Sequence, residues 1–178
     1  VGDSKGPATR QAGFYNPAMA LDRDLCVLFS EYIAGEGCQQ FLDGLGATGI
    51  RGLRIANEVE ADIDVTVNEV NPVSCEHIRG NAALNDVSVT ICNEDVRVLL
   101  YQHRYGYVDI DPYGSPAPFV HAALDGLYRR SYAAVTATDK ATLCGVHPKA
   151  CWRRYDARPR RGPAMKELGL RILLGYIV

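Results

Sequence analysis

Apolar positions in this chain recur with two alternating periods. "CQQFLDGLGA" reads as a short strand ending at Asp43, followed by a Gly-rich turn. "TGIRGLRIANEVE" places Ile50, Leu53, Ile55 and Ala56 at helical spacing. "DIDVTVNEV" alternates Ile63, Val65 and Val67, a strand ending near Glu69. "NPVSCEHIRGNAALND" predicts a helix with Pro72 in its first turn. A third strand, "VSVTICNED", ends near Asp95, and a short helix, "VRVLLYQHRYG", follows. The fourth strand is "YVDIDPYG", and the helix after it, "SPAPFVHAALDGLYRR", starts with prolines. "SYAAVTATD" is the fifth strand. Strands alternating with helices predict an α/β fold with a central, mostly parallel sheet and helices on both faces.

Sites in such sheets lie beyond the carboxyl ends of the strands. Those ends carry Asp43, Glu69, Asp95 and Asp111, with the pair Thr138-Asp139 after the fifth strand. One acid after a strand is ordinary turn chemistry. Four in register at one end of a sheet point to a ligand site.

Composition adds bounds. The chain has 178 residues, 47% hydrophobic and 22% charged, with a net charge of −2. That is enough chain for one domain with its own core. No apolar run approaches the roughly 18 residues of a membrane span. The first residues, "VGDSKGPATRQAGFYNP", lack the apolar core of a signal peptide. Six scattered cysteines form no CxxC pair. A cytoplasmic protein with reduced thiols and no metal site is the expectation.

The net charge conceals an asymmetry. Residues 147–166 hold seven Lys/Arg and one acid, Asp156: a local +6 that leaves −8 for the rest of the chain. Trp152 and Tyr155 lie among these charges. The segment is a candidate phosphate contact for a polyanion, with a basic surface loop neutralised by the acidic remainder as the plainer alternative.

The turn "DGLGATGIR" lets the backbone approach a ligand closely at Gly44, Gly46 and Gly49. It suits a dinucleotide pyrophosphate or another nucleotide-like ligand. Asp43, just before the turn, would repel a pyrophosphate and hold an ammonium. Glu69 suits ribose hydroxyls, and Asp95, followed by Val96, suits an adenine amino group. Together these fit S-adenosylmethionine better than NAD.

"DIDPYGSP" then acquires a chemical reading. An exocyclic base amine is a weak nucleophile because its lone pair is delocalised into the ring. Asp111 and the carbonyl of Pro112 offer two acceptors that orient it, and Tyr113 offers a ring to stack on the base. Gly114 lets the turn pass close to the substrate. Ser115 and Pro116 fit a plain helix start as well.

The segments "GFYNPAMALDRDL", "GATGIRGLR", "DIDPYGSP", "TATDKATLCGVHPKAC" and "KELGLRILL", in this order, resemble the tRNA guanine-26 N2-dimethyltransferases, most of all their compact archaeal form. The resemblance runs from about Gly13 to the end of the chain. It implies a Rossmann-like S-adenosylmethionine-dependent methyltransferase fold and transfer of methyl groups to the N2 amine of guanine 26 in tRNA, giving N2,N2-dimethylguanosine. It implies that Arg23 and Arg51 contact the cofactor and that Glu69, Asp95 and Val96 hold its ribose and adenine, beside the cofactor contacts read from the first turn, Asp43, Gly44 and Gly46. Asp111 would be the catalytic carboxylate, and Phe14 and Tyr113 would sandwich a flipped guanine. The family usually has Phe at the position of Tyr113, so the ring is kept. Phe14 also fits an N-terminal core anchor, and Arg51 also fits a solvent-facing residue whose place Arg54 takes. Cys144 and Cys151 read as structural, and His121 as a packed helix residue.

By the same resemblance, residues 1–36 form an N-terminal segment with the FYNP and RDL motifs, and 37–178 a methyltransferase domain. A C-terminal tRNA-binding domain is expected after it, and this stretch alone is expected to bind S-adenosylmethionine but methylate tRNA poorly. Other readings are a methyltransferase for guanine 10 of tRNA or for adenine, a non-catalytic RNA-binding fragment, and a nicotinamide-dependent oxidoreductase.

Overall fold

Strand residues point alternately to the two faces of a sheet, and the strands here use both. In a computed structural model, which describes residues 15–178, the first strand β1 (Gln40–Asp43) sends Phe41 and Asp43 to one face and Leu42 to the other. It pairs in parallel with β2 (Asp64–Asn68) on one side and β4 (Tyr105–Ile110) on the other. The edges are β3 (Thr90–Cys92) and β5 (Leu127–Val135), giving a five-stranded parallel sheet in the order β3-β2-β1-β4-β5. Both faces are covered, as parallel sheets require.

Helices α1 (Ala20–Gly35), α2 (Ile50–Glu58) and α3 (Pro72–Leu84) close one face. There Cys26, Ile33, Ile55 and Ile78 pack on Phe41, Val65, Val67 and Tyr107. Helices α4 (Val96–Gln102) and α5 (Ala117–Asp125) close the other, where Val96, Leu99, Leu100 and Ala122 pack on Leu42, Val108 and Ile110. A third apolar cluster joins the start of α5 to α6 (Lys140–Leu143), α7 (Pro148–Tyr155) and α8 (Met165–Ile177) through Ala117, Leu143, Cys151, Tyr155 and Leu173. No helix among the described residues is long and apolar enough to cross a membrane.

The expected elements are all present, with one shift. "GLYRR" continues no helix: α5 stops at Asp125 and β5 begins at Leu127, four residues before the expected Ser131. Gly126 sits against Leu100, where a Cβ would come within 2.5 Å of the Leu100 side chain. Its carbonyl accepts from the Tyr105 N–H at 2.8 Å, which draws Leu127 into register with Tyr105. The next partners are Tyr132 and Tyr107, so extra β5 residues bulge out, with Arg130 left-handed at φ 63°.

The strand order reverses direction between β1 and β4. A crevice opens at such a switch point, at the carboxyl ends of the strands.

Candidate active site

A cavity of about 390 Å³ occupies this crevice. Arg23, Asp43, Gly46, Arg51, Glu69, Asp111, Pro112 and Tyr113, all anticipated, line it. Tyr15, Asn16, Phe119 and Thr138 complete much of its wall.

The floor is the turn after β1. Gly44 N–H donates to the Asp109 carbonyl (3.0 Å) and Gly46 N–H to the Asn68 carbonyl (2.8 Å), so this turn is stitched to both neighbouring strands. A Cβ on Gly46 would lie 2.6 Å from the Val67 side chain. Gly49, at φ 77°, turns the chain into α2. Buried Asn68 braces the turn by donating to the carbonyls of Gly44 and Glu94, both at 3.1 Å.

Asp43 is buried and accepts from the Gly52 N–H at 3.0 Å, an unpaired donor of the first turn of α2. Burial pushes its carboxyl up to about 6, against the opposing pull of Arg51 and that N–H. Glu69, one residue past β2, accepts from Ala47 N–H and Asn71 N–H, both at 2.9 Å. Two backbone donors fix its carboxylate at the cavity wall.

Arg51 is the hub. Its Nη2 lies 2.7 Å from Asp22 Oδ2 and 2.7 Å from Asp111 Oδ2, and its Nη1 lies 3.5 Å from Asp109 Oδ2. Its side chain is only 11% exposed, so it does not face solvent. Arg54 does not replace it, being paired with Asp24 and Glu58. Burial works against the Arg51 charge, but Asp109 and its other partners hold it firmly protonated. Arg23 lies beside it, buried, donating to the Asn16 carbonyl and the Tyr15 hydroxyl (both 3.1 Å) with its guanidinium over the Tyr15 ring.

Asp109 was not anticipated as a site residue. It is the register partner of Asp43 on the neighbouring strand, fully enclosed. Its Oδ2 accepts from the Tyr107 hydroxyl (2.9 Å) and the Cys26 thiol (3.7 Å). Its Oδ1 makes no hydrogen bond among the described residues. Burial pushes this carboxyl up to about 7. The sequence did carry a signal: an acid at an interior position of an otherwise apolar strand.

Asp111 stands one residue past β4. Burial raises its carboxyl and Arg51 pulls it back. The turn that follows is clamped from the end of β5. Gly114, at φ 103°, donates its N–H to Thr138 Oγ1 at 2.7 Å and accepts from the N–H groups of Thr138 (2.9 Å) and Asp139 (3.2 Å). Tyr113 is left 58% exposed beside the cavity. Ser115 Oγ accepts from Ala117 N–H at 3.3 Å, at the expected helix start, and donates to the Tyr155 hydroxyl at 2.8 Å.

Among the described residues, the anticipated Gly44, Asp95 and Val96 are not part of the cavity wall. Asp95 caps α4, accepting from Arg97 N–H and pairing with its guanidinium, outside the cavity wall. The Val96 side chain is buried in the core beneath Gly44. Phe14 lies outside the described residues.

A doubly wound parallel sheet with an acid-walled cavity at its switch point defines a Rossmann-like α/β fold. This fold is shared with a putative O-methyltransferase from Klebsiella pneumoniae (TM-score 0.59, 14% identity, 93% of this chain and 70% of that one). The solved structure of Trm1 from Pyrococcus horikoshii with S-adenosyl-L-methionine matches far better: TM-score 0.87, 38% identity, 96% of this chain and 50% of that one. A family model, "N2,N2-dimethylguanosine tRNA methyltransferase", matches residues 5–178. The tRNA (guanine(26)-N(2))-dimethyltransferases of Thermoplasma acidophilum and Methanosphaerula palustris are 41% and 43% identical, over 97% and 98% of this chain. This chain belongs to the N2,N2-dimethylguanosine tRNA methyltransferase family. It spans about half the length of the curated relatives it matches, 48% and 45% of those two.

Proposed function

We propose that this chain carries the methyl-transfer site of a tRNA (guanine-26-N2)-dimethyltransferase that uses S-adenosylmethionine. One observation carries the proposal. Arg51 holds Asp111 Oδ2 at 2.7 Å, and Asp111, Pro112 and Tyr113 together line the acid-walled cavity.

The donor set suits the cofactor. Asp43 matches an ammonium, Arg23 and Arg51 match a carboxylate, and Glu69, already oriented by two N–H groups, matches a ribose diol. When bound, the cofactor supplies an electrophilic methyl group. Asp111 accepts a hydrogen bond from the guanine amine at Oδ1, and the Pro112 carbonyl is the second acceptor. Tyr113 stacks on the base and fixes its plane. Asp111 then accepts the proton the amine loses, while Arg51 limits the cost of keeping a carboxylate in this partly buried position. The basic segment 147–166 is the proposed phosphate contact, and the six free cysteines support a reducing, cytoplasmic setting.

The test is methyl incorporation from labelled S-adenosylmethionine into an unmodified tRNA transcript, mapped by base. Asp111→Asn is expected to lower it by roughly 10²–10⁴-fold with cofactor binding retained. Incorporation that survives Asp111→Asn, or that maps to another base, counts against the proposal.

A further inference from the structure

Helix α7 is bound to the candidate active site on its inner side and carries an aromatic ring on its outer side. On the inner side, Cys151 and Tyr155 are buried, four residues apart. The Tyr155 hydroxyl receives the Ser115 hydroxyl at 2.8 Å and donates to Asp139 Oδ1 at 2.8 Å. Arg154 reaches Asp139 Oδ2 at 3.0 Å. Ser115 belongs to the Asp-Pro-Tyr-Gly-Ser turn, and Asp139 directly follows Thr138 of the cavity wall. The helix and the turn that presents Tyr113 are therefore one hydrogen-bonded unit.

On the outer side, Lys149, Trp152 and Arg153 share a face at helical spacing. Trp152 is 49% exposed and is the chain's single tryptophan. The Arg158 guanidinium lies 5.0 Å from the centre of its ring. Among the described residues, Arg154 is the only one of the seven basic residues of this segment drawn into an ion pair. Sequence reasoning grouped Tyr155 with Trp152 as two aromatics among charges. The structure separates them: Tyr155 is the anchor and Trp152 the presented ring.

We propose that Trp152 is a second base-stacking site for RNA. It takes a nucleotide of the same tRNA other than the one at Tyr113, and Lys149, Arg153 and Arg158 hold the adjoining phosphates. An exposed cation–π pair alone contributes only about 0.5–1 kcal/mol and does not require a lysine and a second arginine on the same face. An aromatic ring within unpaired positive charge is what single-stranded RNA needs, because every base has a face to stack and a phosphate to neutralise. The identity of the RNA rests on the function proposed above. The ring's rigid link to Ser115 fixes its offset from the base at Tyr113, so the two sites together select nucleotides at a set separation.

Trp152, being the only tryptophan, reports on itself. An unmodified tRNA transcript titrated into the protein is expected to quench its emission saturably. Heparin, a polyanion without bases, is expected to displace the tRNA with little quenching of its own. Trp152→Ala is expected to weaken tRNA binding roughly ten-fold at unchanged thermal stability and unchanged S-adenosylmethionine affinity, and Trp152→Phe to restore most of the loss. Three results overturn the proposal: tRNA bound without quenching, heparin quenching as strongly as tRNA, or folded Trp152→Ala binding tRNA as tightly as the parent. Titration with S-adenosylmethionine on the same samples separates the two readings. A folded chain that quenches with tRNA but does not bind the cofactor leaves the stacking site standing and sinks the methyltransferase reading.

Discussion

Arg51 Nη2 lies 2.7 Å from Asp111 Oδ2 and, with the same nitrogen, 2.7 Å from Asp22. Its other terminal nitrogen faces Asp109. One planar guanidinium thus ties together α1, the interior of β4 and the turn after β4. A lysine keeps the charge but has no fork to span three carboxylates. Arg51→Lys is therefore expected to fold with reduced stability and to lose most methyl transfer. Arg51→Ala removes the cation that pairs with Asp22, Asp109 and Asp111 and is expected to cost about 3 kcal/mol, read by denaturant unfolding. An Arg51→Lys variant with unchanged activity would show that the fork is not required.

If Asp43 holds the ammonium of the cofactor, as proposed, binding is sensitive to pH. Its carboxyl is raised to about 6 by burial, and only the ionised form attracts an ammonium. Affinity for S-adenosylmethionine is expected to fall as pH drops below about 6, approaching ten-fold per unit, as measured by calorimetric titration. Asp43→Asn is expected to bind weakly at every pH with a flatter profile. A wild-type profile that stays flat down to pH 5 would contradict this role.

Asp109 affects stability with the opposite sign to a surface acid. Its folded-state carboxyl sits near 7, above the ordinary 3.8, so the folded chain holds a proton that the unfolded chain releases. That contribution is complete below the ordinary value and is lost as pH rises through 7. Asp109→Asn has no charge to bury. Its Tm, relative to the parent, is expected to become more favourable between pH 5 and pH 8. A difference that stays constant or shrinks would mean that Arg51 already satisfies the Asp109 charge.

Gly46 is required by packing. A Cβ there meets the Val67 side chain at 2.6 Å in the fully buried centre of β2. Gly46→Ala is expected to destabilise the chain by about 1–3 kcal/mol and to weaken cofactor binding, because the cavity floor must shift. The same substitution at Gly80, where the added carbon would meet nothing within 4 Å beyond its chain neighbours and its own helix backbone, serves as the control.

The order of strands and helices was readable because β1, β2 and β4 carry short apolar stretches, Phe41-Leu42, Val65 and Val67, and Tyr107-Val108, between clear turn signals. The strand-end acids were readable because parallel sheets place all their carboxyl ends together. Two features were not. The early start of β5 depends on Gly126 meeting Leu100, a contact 26 residues apart in sequence that no local pattern encodes. The role of Asp109 depends on register: only the pairing of β1 with β4 brings it opposite Asp43, and only α2 brings Arg51 to it. The likeness to known sequences did the most for Arg23 and Arg51, whose places at the cavity wall no spacing rule would have picked out.

In the proposed function, the cavity between β1 and β4 holds the methyl donor, and Asp111 serves the base and not the cofactor. Calorimetric titration with S-adenosylmethionine of the parent chain, Glu69→Ala and Asp111→Asn tests it most directly. Expected are a clear binding isotherm for the parent, a large loss for Glu69→Ala and near-parental affinity for Asp111→Asn. A folded parent that does not bind, or a Glu69→Ala variant that binds as well as the parent, would contradict it.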